Sequence, residues 1–235
     1  MQTKKIKFNH QNIEINYRDE SDLSVIDEIF VDKMYRSTED IIKNLTQPIL
    51  DIGAHIGLFS IYASVLNPET KIIALEPEPA NFKLLKENLQ LNHLKNILQK
   101  QVAMIGNDKS ETELFISENT HNHSTLPPNP WIIQPPDKIL VPTTNIEKII
   151  KQNKIDKIGL LKMDIEGGEF EIFQNIEDKI FNIIENIAVE YHETEKNKRD
   201  DLENIIHSHG FSIEHFPNHY DKRFGLLLCR NKKIK

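Results

Sequence analysis

Short apolar runs alternate with stretches of helical periodicity through most of the chain. Pro48-Ile49-Leu50-Asp51-Ile52-Gly53 reads as a buried strand entering a glycine turn, and residues 56–66 then carry apolar side chains at helical spacing. A second strand, Lys71-Ile72-Ile73-Ala74-Leu75-Glu76, is stopped by Pro77. Pro79 precedes a helix over 80–91 with Phe82, Leu84, Leu85 and Leu89 toward the core. The pattern predicts further strands at 97–103, 112–117, 159–163 and 187–190, and helices at 145–152, 170–175 and 196–208. Two late strands, 211–215 and 225–229, are close enough to pair as an antiparallel hairpin at a sheet edge. Near-continuous apolar strands alternating with helices predict an α/β fold, a mostly parallel sheet covered on both faces.

Two regions depart from this rhythm. Residues 1–45 read as an N-terminal appendage to a domain spanning 46–235. Residues 121–137 contain Pro127, Pro128, Pro130, Pro135 and Pro136 and no helical period. Each proline removes a backbone donor and fixes φ, so the stretch is expected to run as a surface loop. Loops of this length serve as lids or binding segments, or are disordered insertions, and both readings stand open.

Composition narrows the partners. A chain of 235 residues is long enough for one sizeable core, and 38% hydrophobic with 28% charged residues is a soluble globular balance. The net charge of −7 gives no general drive toward phosphate backbones, so no nucleic-acid partner is expected. The basic tail Lys232-Lys233-Ile234-Lys235 reads as solvating charge. No apolar run approaches the roughly 20 residues of a membrane span. The start, Met1-Gln2-Thr3-Lys4-Lys5, lacks the apolar stretch of a secretory signal, so a cytoplasmic location is expected. A lone cysteine, Cys229, forms no intramolecular disulfide and fits a reducing compartment.

Asp51-Ile52-Gly53-Ala54-His55-Ile56-Gly57 is the most informative stretch. A strand ends, two glycines four apart permit a tight turn and close backbone approach to a ligand, and a helix begins. Glu76, at the end of the next strand, is the acid that accepts hydrogen bonds from ribose hydroxyls in open α/β sheets. Asp51 beside the turn is unwelcome to a pyrophosphate but favours the sulfonium and ammonium of S-adenosylmethionine, which these residues support over NAD. A structural role for Asp51, holding the turn, is compatible with either cofactor.

The sequence resembles the class I methyltransferases and, within them, the FkbM family. The resemblance rests on the Asp51–Gly57 stretch, on Ala74-Leu75-Glu76-Pro77-Glu78-Pro79 and on Asn88-Leu89-Gln90-Leu91-Asn92. It continues in Leu161-Lys162-Met163-Asp164-Ile165-Glu166-Gly167-Gly168-Glu169 and ends with Val189-Glu190-Tyr191-His192. His55 stands where the family usually has Asn; both tolerate positive φ. The resemblance implies a Rossmann-like fold with a seven-stranded, mostly parallel sheet containing one antiparallel strand. It also implies methyl transfer from S-adenosylmethionine, usually to a hydroxyl of a sugar, polyketide or related small molecule. Gly53 and Gly57 would line the methionine moiety, Glu76 would hold the ribose and Ala103 would lie near the adenine. Asp51, His55, Pro77 and Asp164 complete the expected cofactor set.

Methyl transfer to an alcohol also needs a group to take the hydroxyl proton. Asp164, Glu166 and His192 are the candidates, with Glu190 beside them, because they flank neighbouring strand ends. Glu166 reads equally as a turn contact, His192 is the better base by its ordinary pKa but reads more readily as a solvent-exposed ring, and Glu169 is explained by a helix dipole. Among ten histidines, His121 and His123, with Asn122, His192 and the carboxylates, could converge on a divalent cation, yet no metal-ligand spacing such as His-Glu-x-x-His occurs, so no metal is expected. The loop could bring His121, His123 or Ser124 over the acceptor, with Trp131 as its apolar anchor. The residual-chain segment 1–45 is expected on the acceptor side. The competing readings are an RNA or protein methyltransferase, an NAD oxidoreductase, and a cofactor-binding interaction module without catalysis.

Overall fold

A computed structural model of the chain describes residues 1–117, 119–127 and 137–234. In chain order its elements are β1 (Gln2–Phe8), β2 (Gln11–Tyr17), α1 (Glu20–Phe30), α2 (Glu39–Asn44), β3 (Ile49–Ile52), α3 (Leu58–Leu66), β4 (Ile72–Leu75), α4 (Pro79–Leu91) and β5 (Ile97–Lys100). They continue as β6 (Ala103–Met104), β7 (Glu111–Phe115), β8 (Lys138–Thr144), α5 (Ile146–Asn153), β9 (Leu160–Met163), α6 (Glu169–Asn175), α7 (Asp178–Phe181), β10 (Asn186–His192), α8 (Arg199–Ser208), β11 (Phe211–Pro217) and β12 (Phe224–Asn231).

Seven strands form the main sheet in the order β11-β12-β10-β9-β3-β4-β5. The pairs β9–β10, β3–β9, β3–β4 and β4–β5 are parallel, and β12 runs antiparallel to both β10 and β11. The expected parallel sheet with one antiparallel strand is therefore present, and the late hairpin forms one end of it. Alternate residues of each strand enter opposite cores. Ile49, Ile72 and Leu160 join one cluster with Ile13, Ile26, Phe59 and Tyr62, while Leu50, Ile73 and Leu161 join the other with Phe170, Phe173 and Phe181. This two-sided burial is why the strands read as unbroken apolar runs.

Residues 1–45 are built into the first of these cores. β1 and β2 form an antiparallel hairpin over a two-residue turn, Asn9 and His10, both at positive φ. Asn88 of α4 and Asn92, which caps it, accept the Asn16 and Glu14 backbone N–H groups at 2.8 and 3.0 Å, and Ile13, Ile15, Ile26 and Phe30 are buried in the same cluster as Phe59 and Tyr62 of α3. The strand expected at 97–103 is two pieces. β5 stays in the main sheet, whereas β6 pairs with β8 in a separate three-stranded sheet, β6-β8-β7. The strand expected at 112–117 belongs to this small sheet as β7. No strand was expected at β8, which contains Pro142; this proline sits opposite Glu111 near the end of the ladder. Residues 121–127 form no helix or strand apart from a Phe115–Ser124 bridge. Pro128, Pro130, Pro135, Pro136 and Trp131 lie outside the described residues. Among the described residues no helix is long and apolar enough to cross a membrane.

The chain leaves β3 toward β4 and β5 on one side and later enters β9 and β10 on the other. The carboxyl ends of β3 and β9 therefore flank the topological switch point, where ligands of open α/β sheets gather.

Candidate active site

Gly53 and Gly57 have φ of +77° and +91°, a region that favours glycine. At Gly53 space decides as well, since a Cβ there would lie 1.8 Å from the carbonyl oxygen of Asp164. The turn is pinned to β4 by the Gly53 and Ala54 N–H groups, which donate to Leu75 O at 3.1 and 2.9 Å. His55, at φ +50°, donates its N–H to Glu76 Oε2 at 2.8 Å, and the Glu78 N–H donates to Oε1 at 2.9 Å. Glu76 is 5% exposed; burial pushes its carboxyl up to about 7, more than these backbone donors draw it down.

Glu76 faces a cavity at the switch point. Gly53, His55, Glu76, Pro77 and Ala103 line one side, and Val25, Glu28, Asp164, Glu166 and Glu190 the other. A narrower recess shares Val25, Glu28, Asp164 and Glu190 and runs on between Met34, Tyr35, Leu58 and Phe59.

Three expected residues do not line the cavity. Asp51 is fully buried behind the turn, where Oδ2 accepts from Ser60 Oγ at 2.6 Å and Oδ1 lies 3.2 Å from Lys162 Nζ. Lys162 also donates to Gly53 O at 2.8 Å, so the buried ion pair holds the turn from beneath. Burial works against the Lys162 ammonium, but Asp51 and Asp164 more than restore it. Gly57 starts α3, with the place of its missing Cβ taken up by Leu85 at 3.2 Å. His192 lies behind Glu166.

The acidic side is built from two strand ends. Asp164 follows β9, its N–H bonded to Ile52 O at 3.1 Å and its side chain 31% exposed. Glu166 sits in the following turn at φ +56°, and its carbonyl accepts Ser124 Oγ at 2.8 Å. His192, the last residue of β10, is buried between two carboxylates rather than solvent-exposed: Nε2 is 3.5 Å from Glu166 Oε2 and Nδ1 is 3.2 Å from Glu169 Oε1. Glu169 is itself fully buried, and its Oε1 also accepts the Ile165 N–H at 2.9 Å. Its place at a helix start is thus secondary to its grip on His192.

These groups shift one another. Burial alone would lower His192, but Glu169, Glu166 and Glu190 hold it well above the usual imidazole range. Burial lifts Glu166 to about 7; His192 draws it down while Asp164 and Glu169 push it up. Burial and the Asp164 charge raise Glu190 well above the carboxylate range, and burial with Asp164 and Asp32 lifts Glu28 to about 6.

A further cluster, absent from the sequence reading, ties the loop to α1. Asp22, fully buried, takes Arg18 on both oxygens at 2.8 Å and Thr120 Oγ1 at 2.8 Å. Burial would raise its carboxyl, but these donors hold it far below the usual range. Asn81 accepts from Arg18 at 2.6 Å and donates to Thr120 O at 2.9 Å. His55 Nε2 is 3.3 Å from Asp22 Oδ1, off the line of a hydrogen bond, and His121 Nδ1 is 2.8 Å from Ser21 Oγ. Thr120, His121, His123 and Thr125 consequently reach the cavity wall. The signal in the sequence was Asp19-x-x-Asp22 at a helix start, which also reads as ordinary capping.

Residues 51–213 match the model of the methyltransferase FkbM domain. Methyltransferase 1 of Beauveria bassiana is 24% identical over 205 residues, 79% of this chain and 79% of that protein. The 31-O-demethyl-FK506 methyltransferase FkbM of Streptomyces tacrolimicus is 22% identical over 190 residues, 70% of this chain and 72% of its own length. Among solved structures, SMU.1697c of Streptococcus mutans, in complex with SAH, superposes with a TM-score of 0.51 at 10% identity, covering 84% of this chain and 97% of that one. The seven-stranded sheet is accordingly that of the class I methyltransferases, and the chain belongs to the FkbM methyltransferase family.

Proposed function

We propose that the chain transfers a methyl group from S-adenosylmethionine to a hydroxyl oxygen of a small-molecule acceptor such as a sugar or polyketide. One observation carries the reading: a single cavity joins the buried Glu76 carboxylate to the acidic ends of β9 and β10. Each Glu76 oxygen already holds one backbone N–H and keeps capacity for another donor, which is what a ribose diol requires. The opposite wall, with Glu28, Asp164 and Glu190, opposes a pyrophosphate and suits a sulfonium and an ammonium. S-adenosylmethionine, when bound, supplies an already activated methyl group, so no covalent enzyme intermediate is needed.

The chain's own task is alignment and proton removal. Glu166, with its carboxyl near 7, is poised to take the proton that the acceptor hydroxyl gives up at neutral pH. His192, with Nε2 3.5 Å from Glu166 Oε2, steadies that carboxylate. Val25, Met34, Tyr35 and Phe59 form the apolar wall of the acceptor side, to which residues 1–45 contribute. The Streptomyces relative, whose name specifies an O-demethyl substrate, supports oxygen as the acceptor atom. SAH in the Streptococcus structure supports the cofactor. The net charge of −7 favours a small acceptor over RNA, and the buried Cys229 fits the cytoplasm.

Calorimetric titration with S-adenosylhomocysteine, with NADH as control ligand, tests this in wild type and Glu76→Ala. The expected result is binding of S-adenosylhomocysteine alone, weakened at least tenfold by the substitution. Binding of NADH without it would overturn the reading.

A further inference from the structure

Asp164, Glu166 and His192 each offer a ligand atom, and the three atoms lie within 4.8 Å of one another. From this we infer that the three hold a divalent, oxygen-preferring cation, Mg²⁺ or Mn²⁺, at the acceptor side of the cavity. No spacing in the sequence announces the site, because Asp164 and Glu166 come from the turn after β9 and His192 from the end of β10, its parallel neighbour.

The donor set is two carboxylates and one imidazole, a composition that suits Mg²⁺ and Mn²⁺ rather than thiolate-seeking metals. Octahedral ligands at about 2.1 Å stand about 3–4 Å apart; His192 Nε2 and Glu166 Oε2 already stand at 3.5 Å, and all three atoms fall within 4.8 Å. Such a set leaves positions open toward the cavity for oxygens of an acceptor.

Two observations outside the triad point the same way. Glu169 takes the Nδ1 side of His192, which directs Nε2 toward Asp164 and Glu166; this carboxylate-histidine arrangement is the usual second support of a metal-bound ring. Glu169 is fully buried, and its Oε2 has no partner among the described residues. Glu190, two residues before His192 on the same strand face, lines the cavity with no hydrogen bond or ion pair among the described residues. Glu28 faces the same space in the same condition. Lys162 is committed to Asp51 at 3.2 Å and stands 4.0 Å from Asp164. These carboxylates outnumber the cations beside them, His192 and Lys162, and are costly to keep charged; a bound divalent cation, displacing the His192 proton, lowers the cost.

The test is titration of the full-length protein with Mn²⁺, followed by electron paramagnetic resonance of the free ion. One Mn²⁺ per chain, displaced by excess Mg²⁺, is expected. Asp164→Asn and Glu166→Gln should each weaken binding at least tenfold, and Glu169→Gln by about 10–100-fold. Circular dichroism establishes that each variant is folded. Selective broadening of the His192 imidazole resonances by Mn²⁺ locates the ion in wild type, independently of any variant. Absence of stoichiometric binding in wild type, or binding that leaves His192 unbroadened, overturns the site. S-adenosylhomocysteine binding without Mn²⁺ binding would sink the cation site alone. Mn²⁺ binding without S-adenosylhomocysteine binding would sink the cofactor reading alone.

Discussion

Replacing Glu76 by Gln separates what the carboxylate does for stability from what it does for binding. The folded state keeps the Glu76 proton up to about pH 7, while the unfolded chain releases it near 4.5. The native state therefore holds more protons across that window, and stability falls as pH rises through it. At about 1.4 kcal/mol per pH unit and proton, the loss amounts to about 3 kcal/mol by pH 8. Gln does not titrate. Its amide oxygen can serve only one of the two N–H groups, from His55 or Glu78, so it carries a pH-independent penalty of about 1–3 kcal/mol. The informative quantity is the stability difference between wild type and variant at each pH, in which all other titrations cancel. Urea unfolding followed by circular dichroism at pH 5, 6, 7 and 8 measures it. The difference should move by about 2.5 kcal/mol in favour of the variant between pH 5 and pH 8. A difference constant to within about 0.5 kcal/mol, or one moving the other way, would show that the backbone donors outweigh burial at this carboxyl.

Gly53→Ala places a methyl against the Asp164 carbonyl, 1.8 Å away, on a backbone at φ +77°. A loss of more than about 3 kcal/mol is expected, visible as a lowered urea midpoint, because both the clash and the left-handed backbone penalise it. Lys162→Met strands Asp51 as a fully buried, uncompensated carboxylate and should cost about 3–5 kcal/mol. Adding Asp51→Asn to that variant should recover part of the loss, and additive costs in the double-mutant cycle would refute the coupling.

What the sequence disclosed was local. Ile49-Leu50-Asp51-Ile52 and Ile72-Ile73-Ala74-Leu75 are apolar because both of their faces are covered, and the glycine turn between β3 and α3 is written in consecutive residues. The hairpin of β1 and β2 was less visible, because its turn is Asn9-His10 rather than a glycine pair, and Lys4, Lys5 and Lys7 dilute its alternation. Glu76 could be placed by counting strands. Asp51 could not be separated from the cavity, because whether a side chain at a strand end faces a ligand or a lysine depends on its neighbour's register, here Asp51 opposite Lys162. The same holds for Glu169 and His192, 23 positions apart and joined only by the pairing of β9 with β10. Asp22 was hidden for a different reason: its partners Arg18, Thr120 and His55 come from three separate segments.

The position of β12 sets a timetable for biosynthesis. This strand lies between β11 and β10, so the late part of the chain fills an interior slot of the sheet. Until it arrives, β10 pairs only with β9 and presents the backbone of Ile187, Ala188 and Val189 as an open edge. β12 ends about forty residues after His192. At ribosomal rates of about 5–20 residues per second, that edge stays open for roughly 2–8 s. An apolar edge exposed for seconds is a template for pairing with another nascent chain, so yield during rapid expression should depend on temperature and on chaperones that shield nascent strands.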